Sequence, residues 1–299
     1  MKLQKKILLG VLVTIMSLTT LGTSLLAQGT KDGIGISPTK LVIDGDPGEK
    51  LTGQFTVLNS GDEVIKYRVY VNDLNVKNED YEKIFEPLPG ITSPVTWFSV
   101  PEGERTLAAG AQEKLDYSIT VPFNAAPRGY SAVIFAETAE PEIDTTGIAR
   151  LKRVGSLVYL TVNGDTTQKG ELLSFDTAMW QKHLPVVPSI RIQNAGTTHF
   201  EVTGEVRLKN VFGKEVDKAS VSGTLLPQTI RNFKPELSPE RSVGLYKVEG
   251  EVKFLDQTES LKSDWILVAP PLWIALVLAV IAIWIVVIVA WVKRRGKRR

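Results

Sequence analysis

Phe200-Glu201-Val202-Thr203-Gly204-Glu205-Val206-Arg207-Leu208-Lys209 alternates without a break, every second residue being charged or threonine. Side chains along a strand point to opposite faces in turn, so this stretch predicts a strand with one wet face and one packed face. Lys66–Val71 repeats the pattern with Tyr67, Val69 and Val71 on one side, and so do Leu115–Val121 and Tyr246–Phe254. Turn-forming clusters separate such runs: Asp46-Pro47-Gly48, Asn59-Ser60-Gly61-Asp62, Asn163-Gly164-Asp165 and Asn194-Ala195-Gly196. Short amphipathic strands at this spacing indicate antiparallel sandwiches.

A weak internal repeat divides the chain. Phe55-Thr56-Val57-Leu58-Asn59-Ser60-Gly61 matches Ile190-Arg191-Ile192-Gln193-Asn194-Ala195-Gly196. In each, an alternating strand stops at Asn-x-Gly, where both residues tolerate left-handed backbone angles. A later tyrosine strand recurs as well, Pro127–Phe135 paralleling Gly244–Gly250. The expected fold is therefore all-β: two tandem immunoglobulin-like antiparallel β-sandwiches, residues 33–163 and 164–268, followed by a single C-terminal transmembrane α-helix. Gly33-Ile34-Gly35-Ile36 reads as the approach to the first strand. Residues 72–101 make a long insertion holding Tyr81, Phe85, Trp97 and Phe98, aromatics suited to capping the core or to recognition.

The two ends are matched. Leu272–Val292 holds no charged residue and runs straight into Lys293, Arg294, Arg295, Lys297, Arg298 and Arg299. At ~1.5 Å per residue it covers roughly the 30 Å of a bilayer's hydrocarbon core. Trp273 and Trp291 lie near its ends as interface anchors, and the basic tail, residues 293–299, stops transfer and marks the cytoplasmic side. Pro270-Pro271 breaks the chain just before it. A buried core helix would rarely be apolar on every face. At the N-terminus, Lys2, Lys5 and Lys6 precede an apolar stretch, Ile7–Met16, and a polar, small-residue region ending at Ala27, as in a cleavable signal peptide over residues 1–27. An uncleaved anchor is the other reading. Both place the sandwiches outside the cell and the tail inside; with the signal cleaved, the chain is a single-pass protein of the cell membrane.

Charge agrees with that topology. Of 35 basic and 33 acidic residues, three basic ones lie in the signal and six in the tail, leaving 26 against 33 between them. A mildly acidic ectodomain argues against a nucleic-acid partner. Cysteine is absent, which excludes disulfides, thiol nucleophiles and thiolate metal sites. His183 and His199 are the only histidines and have no metal-site spacing. No nucleophile elbow or phosphate-binding glycine loop is present. Asp44-Gly45-Asp46-Pro47-Gly48-Glu49 resembles a calcium loop but lacks its later ligands, so a tight turn is expected. Glu137, Glu140, Glu142 and Asp144 read as a solvated acidic region. Leu226-Pro227-Gln228-Thr229 begins like a sortase signal, but Ile230 stands where glycine is required. No catalytic, metal or cofactor residues are expected, and the ligand-binding residues stay unidentified.

The layout resembles the WxL-interacting proteins of Gram-positive surfaces. The matching residues are Ile36-Ser37-Pro38, Pro47-Gly48, Phe55–Asn59, Thr120-Val121-Pro122 and Gly129–Phe135 in the first module. In the second they are Ile190–Gly196, His199, Gly204, Asn210–Gly213 and Gly244-Leu245-Tyr246. The resemblance implies a first domain that binds peptidoglycan, or a WxL-domain protein held at the wall, and a second that binds host or matrix proteins. It is strongest in strands and turns and carries over no ligand contact. The first module is also similar to the N-terminal domain of pilus chaperones. The expected function is that of an anchored, non-catalytic envelope protein binding wall or surface-protein partners. The alternative is a membrane-tethered, chaperone-like accessory subunit of a secretion or pilus-like system.

Overall fold

The computed structural model describes residues 33–140, 142–143, 149–241 and 243–296. The expected signal peptide with Ala27, and Lys297, Arg298 and Arg299 of the tail, lie outside them, as does Asp144. The described chain is mostly β-strand with one C-terminal apolar helix.

Two sheets face each other around the first core. One runs in the order Ile34–Ser37, Lys50–Asn59, Gln112–Thr120, Phe98–Ser99. The other runs Lys40–Gly45, Arg153–Val162, Gly129–Thr138, Ile65–Asp73, Glu104–Leu107. Alternation in both sends apolar residues inward, so Phe55, Val57, Leu115 and Ile119 meet Tyr67, Ile134, Val158 and Leu160. Residues 34–36 are already strand and not merely its approach. The chain crosses from one sheet to the other at Pro38-Thr39, and Lys40–Gly45 then lies parallel to Leu157–Val162. The sandwich is therefore not purely antiparallel, because one edge segment, split by a proline that cannot donate to a ladder, serves both sheets.

The second core sits between Gly170–Asp176, Ser189–Asn194, Ile230–Phe233 on one side and a larger sheet on the other. The larger sheet runs Trp180–Gln181, Ile266–Val268, Gly244–Phe254, Phe200–Asn210, Glu215–Leu225, with Gln257–Lys262 also pairing to Gly244–Phe254. Trp180–Gln181 pairs parallel with Leu267-Val268. On the inner face small and large residues alternate across strands. Gly204 pairs with Val252 and Val221, and Gly250 pairs with Val206. A Cβ on Gly204 would lie 2.3 Å from the carbonyl oxygen of Glu251, so no larger residue fits without moving backbone.

The repeat extends to atomic detail. Asn59 and Asn194 are both buried. Asn59 Oδ1 accepts from the Gly61 N–H (3.0 Å), and its amide donates to the carbonyls of Glu63, Leu107 and Ala108. Asn194 Oδ1 accepts from the Gly196 N–H (2.9 Å), and its amide donates to the carbonyls of Thr198 and Leu225. Neither Asn-x-Gly segment contains a positive φ. Asparagine is present here because a buried amide can bond a turn and a distant strand end together, not for left-handed backbone freedom. The tyrosines match too. Tyr130 Oη donates to the Ala126 carbonyl (3.0 Å) and Tyr246 Oη to the Arg241 carbonyl (2.7 Å), as in a tyrosine corner.

The insertion divides its aromatics. Trp97 and Phe98 pack against the first core. Phe85 instead lies edge-on to Phe135 on the outer face of the sheet (4.9 Å between centroids), with Arg153 over both rings. Asn75-Val76 and Lys83-Ile84 form a small hairpin whose tip carries Glu79, Asp80 and Tyr81 into the second module. The expectation of core capping holds for two of the four.

The helix spans Pro271–Gly296. Pro271 is its first residue and not a break before it, since a helix start has no need of that N–H.

Candidate binding edges and the membrane stem

The hairpin tip fixes how the modules meet. Glu79 pairs with Arg191 through two 2.7 Å bonds, and Asp80 with Lys234 at 2.5 Å. The Asn232 N–H donates to the Glu79 carbonyl at 2.7 Å. Tyr81 Oη accepts from the Leu226 N–H (2.5 Å) and bonds Thr229 (2.9 Å), while Arg231 lies over its ring at 4.5 Å. Leu74, Tyr159 and Leu226 form a small apolar core here. Burial pushes the Tyr81 hydroxyl up and lowers the Arg231 guanidinium. The Leu226–Thr229 segment, which resembles a sortase signal at its start, is part of this junction.

His199 sits in the same junction, its ring 5.3 Å from that of Tyr159. Its Nδ1 is buried with no hydrogen-bond partner among the described residues. Burial lowers its pKa, the Asp44 carboxylate opposing that shift. His183 lies apart in an exposed loop, Nδ1 3.0 Å from the Leu184 carbonyl.

The carboxylates singled out in sequence have ordinary work. Glu49 accepts from the Asp46 N–H (2.8 Å) and Asp46 from the Asn163 amide (2.8 Å), with Gly48 at φ +86°, so residues 44–49 form the expected tight turn. Glu137 pairs with Arg68 and Glu140 with Lys66. Arg105 and the Tyr67 hydroxyl hold the Glu113 carboxyl below its usual range, tying the two sheets together at the sandwich edge.

What the fold leaves available is strand edge. Glu215–Leu225 ends its sheet, and Ala219, Val221 and Gly223 pair inward with Phe200–Asn210. Residues of even number therefore turn their N–H and C=O outward. Two of these positions are occupied: the Lys218 N–H by Asp217 Oδ1 (2.8 Å) and the Thr224 carbonyl by Arg231 (3.1 Å). Between them Ser220 and Ser222, both exposed, make no other bond on that side among the described residues. The first module offers a second edge at Lys40–Gly45, where Lys40, Val42 and Asp44 face outward and Val42 is 59% exposed. Unpaired edge groups are a template for an extended chain. Sequence reasoning located the strands but could not tell an edge strand from a central one.

The stem is the other functional element. Pro271–Trp291 contains an 18-residue stretch of mean hydropathy 3.2, none of it buried against the sandwiches, and is long and apolar enough to cross a membrane. Trp273 lies in its first turn and Trp291 near its end, both exposed, and Lys293, Arg294 and Arg295 continue the helix beyond.

No family model matches the chain, and no curated protein matches it. Among solved structures it is similar to the class 5 fimbriae chaperone CfaA, at 14% identity over 78% of this chain and 99% of that one, with a TM-score of 0.40. The Pseudomonas aeruginosa CupB2 chaperone aligns at 11% identity over 77% of this chain and 100% of its own, with a TM-score of 0.42. The E. coli chaperone DraB aligns at 14% over 78% and 98%, with a TM-score of 0.40.

Proposed function

We propose that this is a membrane-tethered, non-catalytic binding protein whose immunoglobulin-like sandwiches hold extended segments of other surface polypeptides along a strand edge, an accessory or chaperone-like role in assembling surface proteins. The observation that carries this is the Ser220–Ser222 window. It is a short stretch of unpaired backbone on an eleven-residue edge strand, with Asp217 taking the Lys218 N–H on one side of it and Arg231 the Thr224 carbonyl on the other. A guarded edge with one open stretch limits pairing to a short partner segment, whereas an unguarded edge invites aggregation. The plugged junction supports the same reading, because an edge presents one register only if its module is held still. Given the sequence resemblance, a WxL-domain protein is the first partner to try. The helix keeps this recognition at the membrane surface.

The test places a photo-crosslinker at Ser222 of the full chain in lipid nanodiscs exposed to envelope extract. Ser222→Pro removes one outward N–H and leaves the inner ladder intact. Crosslinking to a defined polypeptide segment, with binding of that segment lost in the Ser222→Pro chain, supports the proposal. Capture of glycan alone, or undiminished binding by Ser222→Pro, overturns it.

A further inference from the structure

The outer face of the larger second sheet changes character along its length. Toward the first module it is charged and polar: Glu205 and Glu251 pair across strands, flanked by Ser220 and Ser260, with Lys218 on Glu205 and Lys253 on Glu251. One row on, Arg207 and Lys209 meet Glu249 and Glu215. Then Lys247 lies beside Trp265, 5.2 Å from its ring. The last row is apolar. Register places Trp180 beside Leu267 and Leu267 beside Leu245, and Val211 follows Asn210, the partner of Tyr246. The hairpin tip beyond carries Phe212, 90% exposed. Single exposed apolar residues are ordinary, but a contiguous row of them marks an interaction site.

The place of this row decides what covers it. Ile266–Val268 ends in the same row, and only Ala269 and Pro270 separate it from the helix, roughly 7 Å of extended chain. That connection is tied down. The Ala269 N–H donates to the Gln181 carbonyl (2.9 Å) and the Ala269 carbonyl accepts from Trp180 Nε1 (3.1 Å). The Trp273 N–H then donates to the Pro270 carbonyl (3.0 Å). A helix that enters the bilayer within its first turn thus holds the apolar row at headgroup depth, where amphipathic rings and exposed aliphatics gain by insertion. A cleft of about 550 Å³ opens at the same end between the hairpin and residues 239–241 and 243–244. Lys214 and Arg241 border it, and Glu215 and Glu240 offset them, so attraction is to the lipid surface as such and not to anionic lipid in particular.

We infer that this end of the second sandwich is itself a lipid-docking surface, with Phe212, Val211, Leu245, Leu267, Trp180 and Trp265 seated in the headgroup zone of the bilayer that the helix crosses. The inference rests on the helix being a membrane span, and the experiment separates the two. The chain has no cysteine, so single nitroxide labels can be placed in the full chain reconstituted in phosphatidylcholine bilayers. The variants are Phe212→Cys at the hairpin, Ser260→Cys on the far part of the same face, and Val280→Cys in the helix. Accessibility to oxygen relative to a water-soluble nickel chelate reads depth. Docking predicts a ratio at Phe212→Cys several-fold above that at Ser260→Cys and below that at Val280→Cys. A label at Leu245→Cys should behave like the hairpin label and move toward water when Val211→Asp and Phe212→Asp are added. Equal ratios at the hairpin and at Ser260→Cys, with Val280→Cys in lipid, overturn docking and leave the span intact. A water-exposed label at Val280→Cys overturns both.

Discussion

The two ends of the second sandwich are built from opposite materials. At the end facing the first module, contact is made by specific, directional groups: an acidic hairpin tip seated among Arg191, Arg231 and Lys234, and a tyrosine hydroxyl that bonds a backbone N–H. At the end facing the helix, the outward groups are mostly apolar, with Phe212, Val211, Leu245, Leu267, Trp180 and Trp265 all exposed. A protein partner at fixed orientation rewards directional bonds, whereas a fluid lipid surface rewards depth. The contrast teaches what each end is suited to: directional bonds hold an angle, and an apolar row at a membrane surface holds a height.

The first way to break this comparison is to remove the plug. Tyr81→Ala deletes a largely buried ring and two hydrogen bonds, and should cost about 2–4 kcal/mol of stability, read as a lower melting temperature and as new protease cleavage between the modules. Tyr81→Phe keeps the ring but strands the Leu226 N–H, at about 1–2 kcal/mol. If both variants melt like the parent, the junction is not specific. Gly129→Val wedges the same joint from the other side, since a Cβ there meets His199 at 3.0 Å and Pro227 at 3.2 Å. Its effect should fall on cleavage between modules more than on either core.

Acid offers a graded test. His199 has a folded pKa below its unfolded one because burial disfavours the imidazolium. Above the unfolded value, about 6.5, both states are neutral and nothing is lost. As pH falls below that, the unfolded chain takes up the proton first, and stability declines until the folded pKa is reached. The slope is bounded by one proton, about 1.4 kcal/mol per pH unit. His199→Phe should flatten it, and an unchanged slope in thermal melts from pH 7.5 to 5 would place its origin elsewhere.

The weaker effects sharpen the contrast. Glu79→Gln removes a partly exposed ion pair, so its effect should be small and should shrink further as salt is raised. Phe212→Ser, at the other end, should leave melting in detergent unchanged while altering depth in bilayers. A destabilised Phe212→Ser would mean the hairpin packs against protein.

Much of the fold was legible from side-chain period. The strands at residues 66–71, 115–121, 200–209 and 246–254 form as expected, because alternation is a local property that packing then enforces. The Asn-x-Gly turns were found but explained wrongly. Their chemistry depends on the carbonyls of Leu107 and Leu225, 48 and 31 residues away. Tyr81 could not be told from a core aromatic, since its partners lie 145 and 148 residues on. The open edge was invisible because an edge strand carries the same pattern as its neighbours. The apolar row at the helix end is drawn from four segments, around Trp180, Val211, Leu245 and Leu267, and only strand register assembles it.

The way Ile266–Val268 leaves its sheet also sets how the molecule bears load. With the helix in a bilayer and a partner on the edge, as proposed, tension enters the sandwich at the C-terminal end of that strand. Its bonds to Gly244–Tyr246 on one side and its ladder with Trp180-Gln181 on the other are then strained together instead of unzipping in turn. Pulled from its root, that strand is loaded in shear against both neighbours, and single-molecule pulling should show its release as one step.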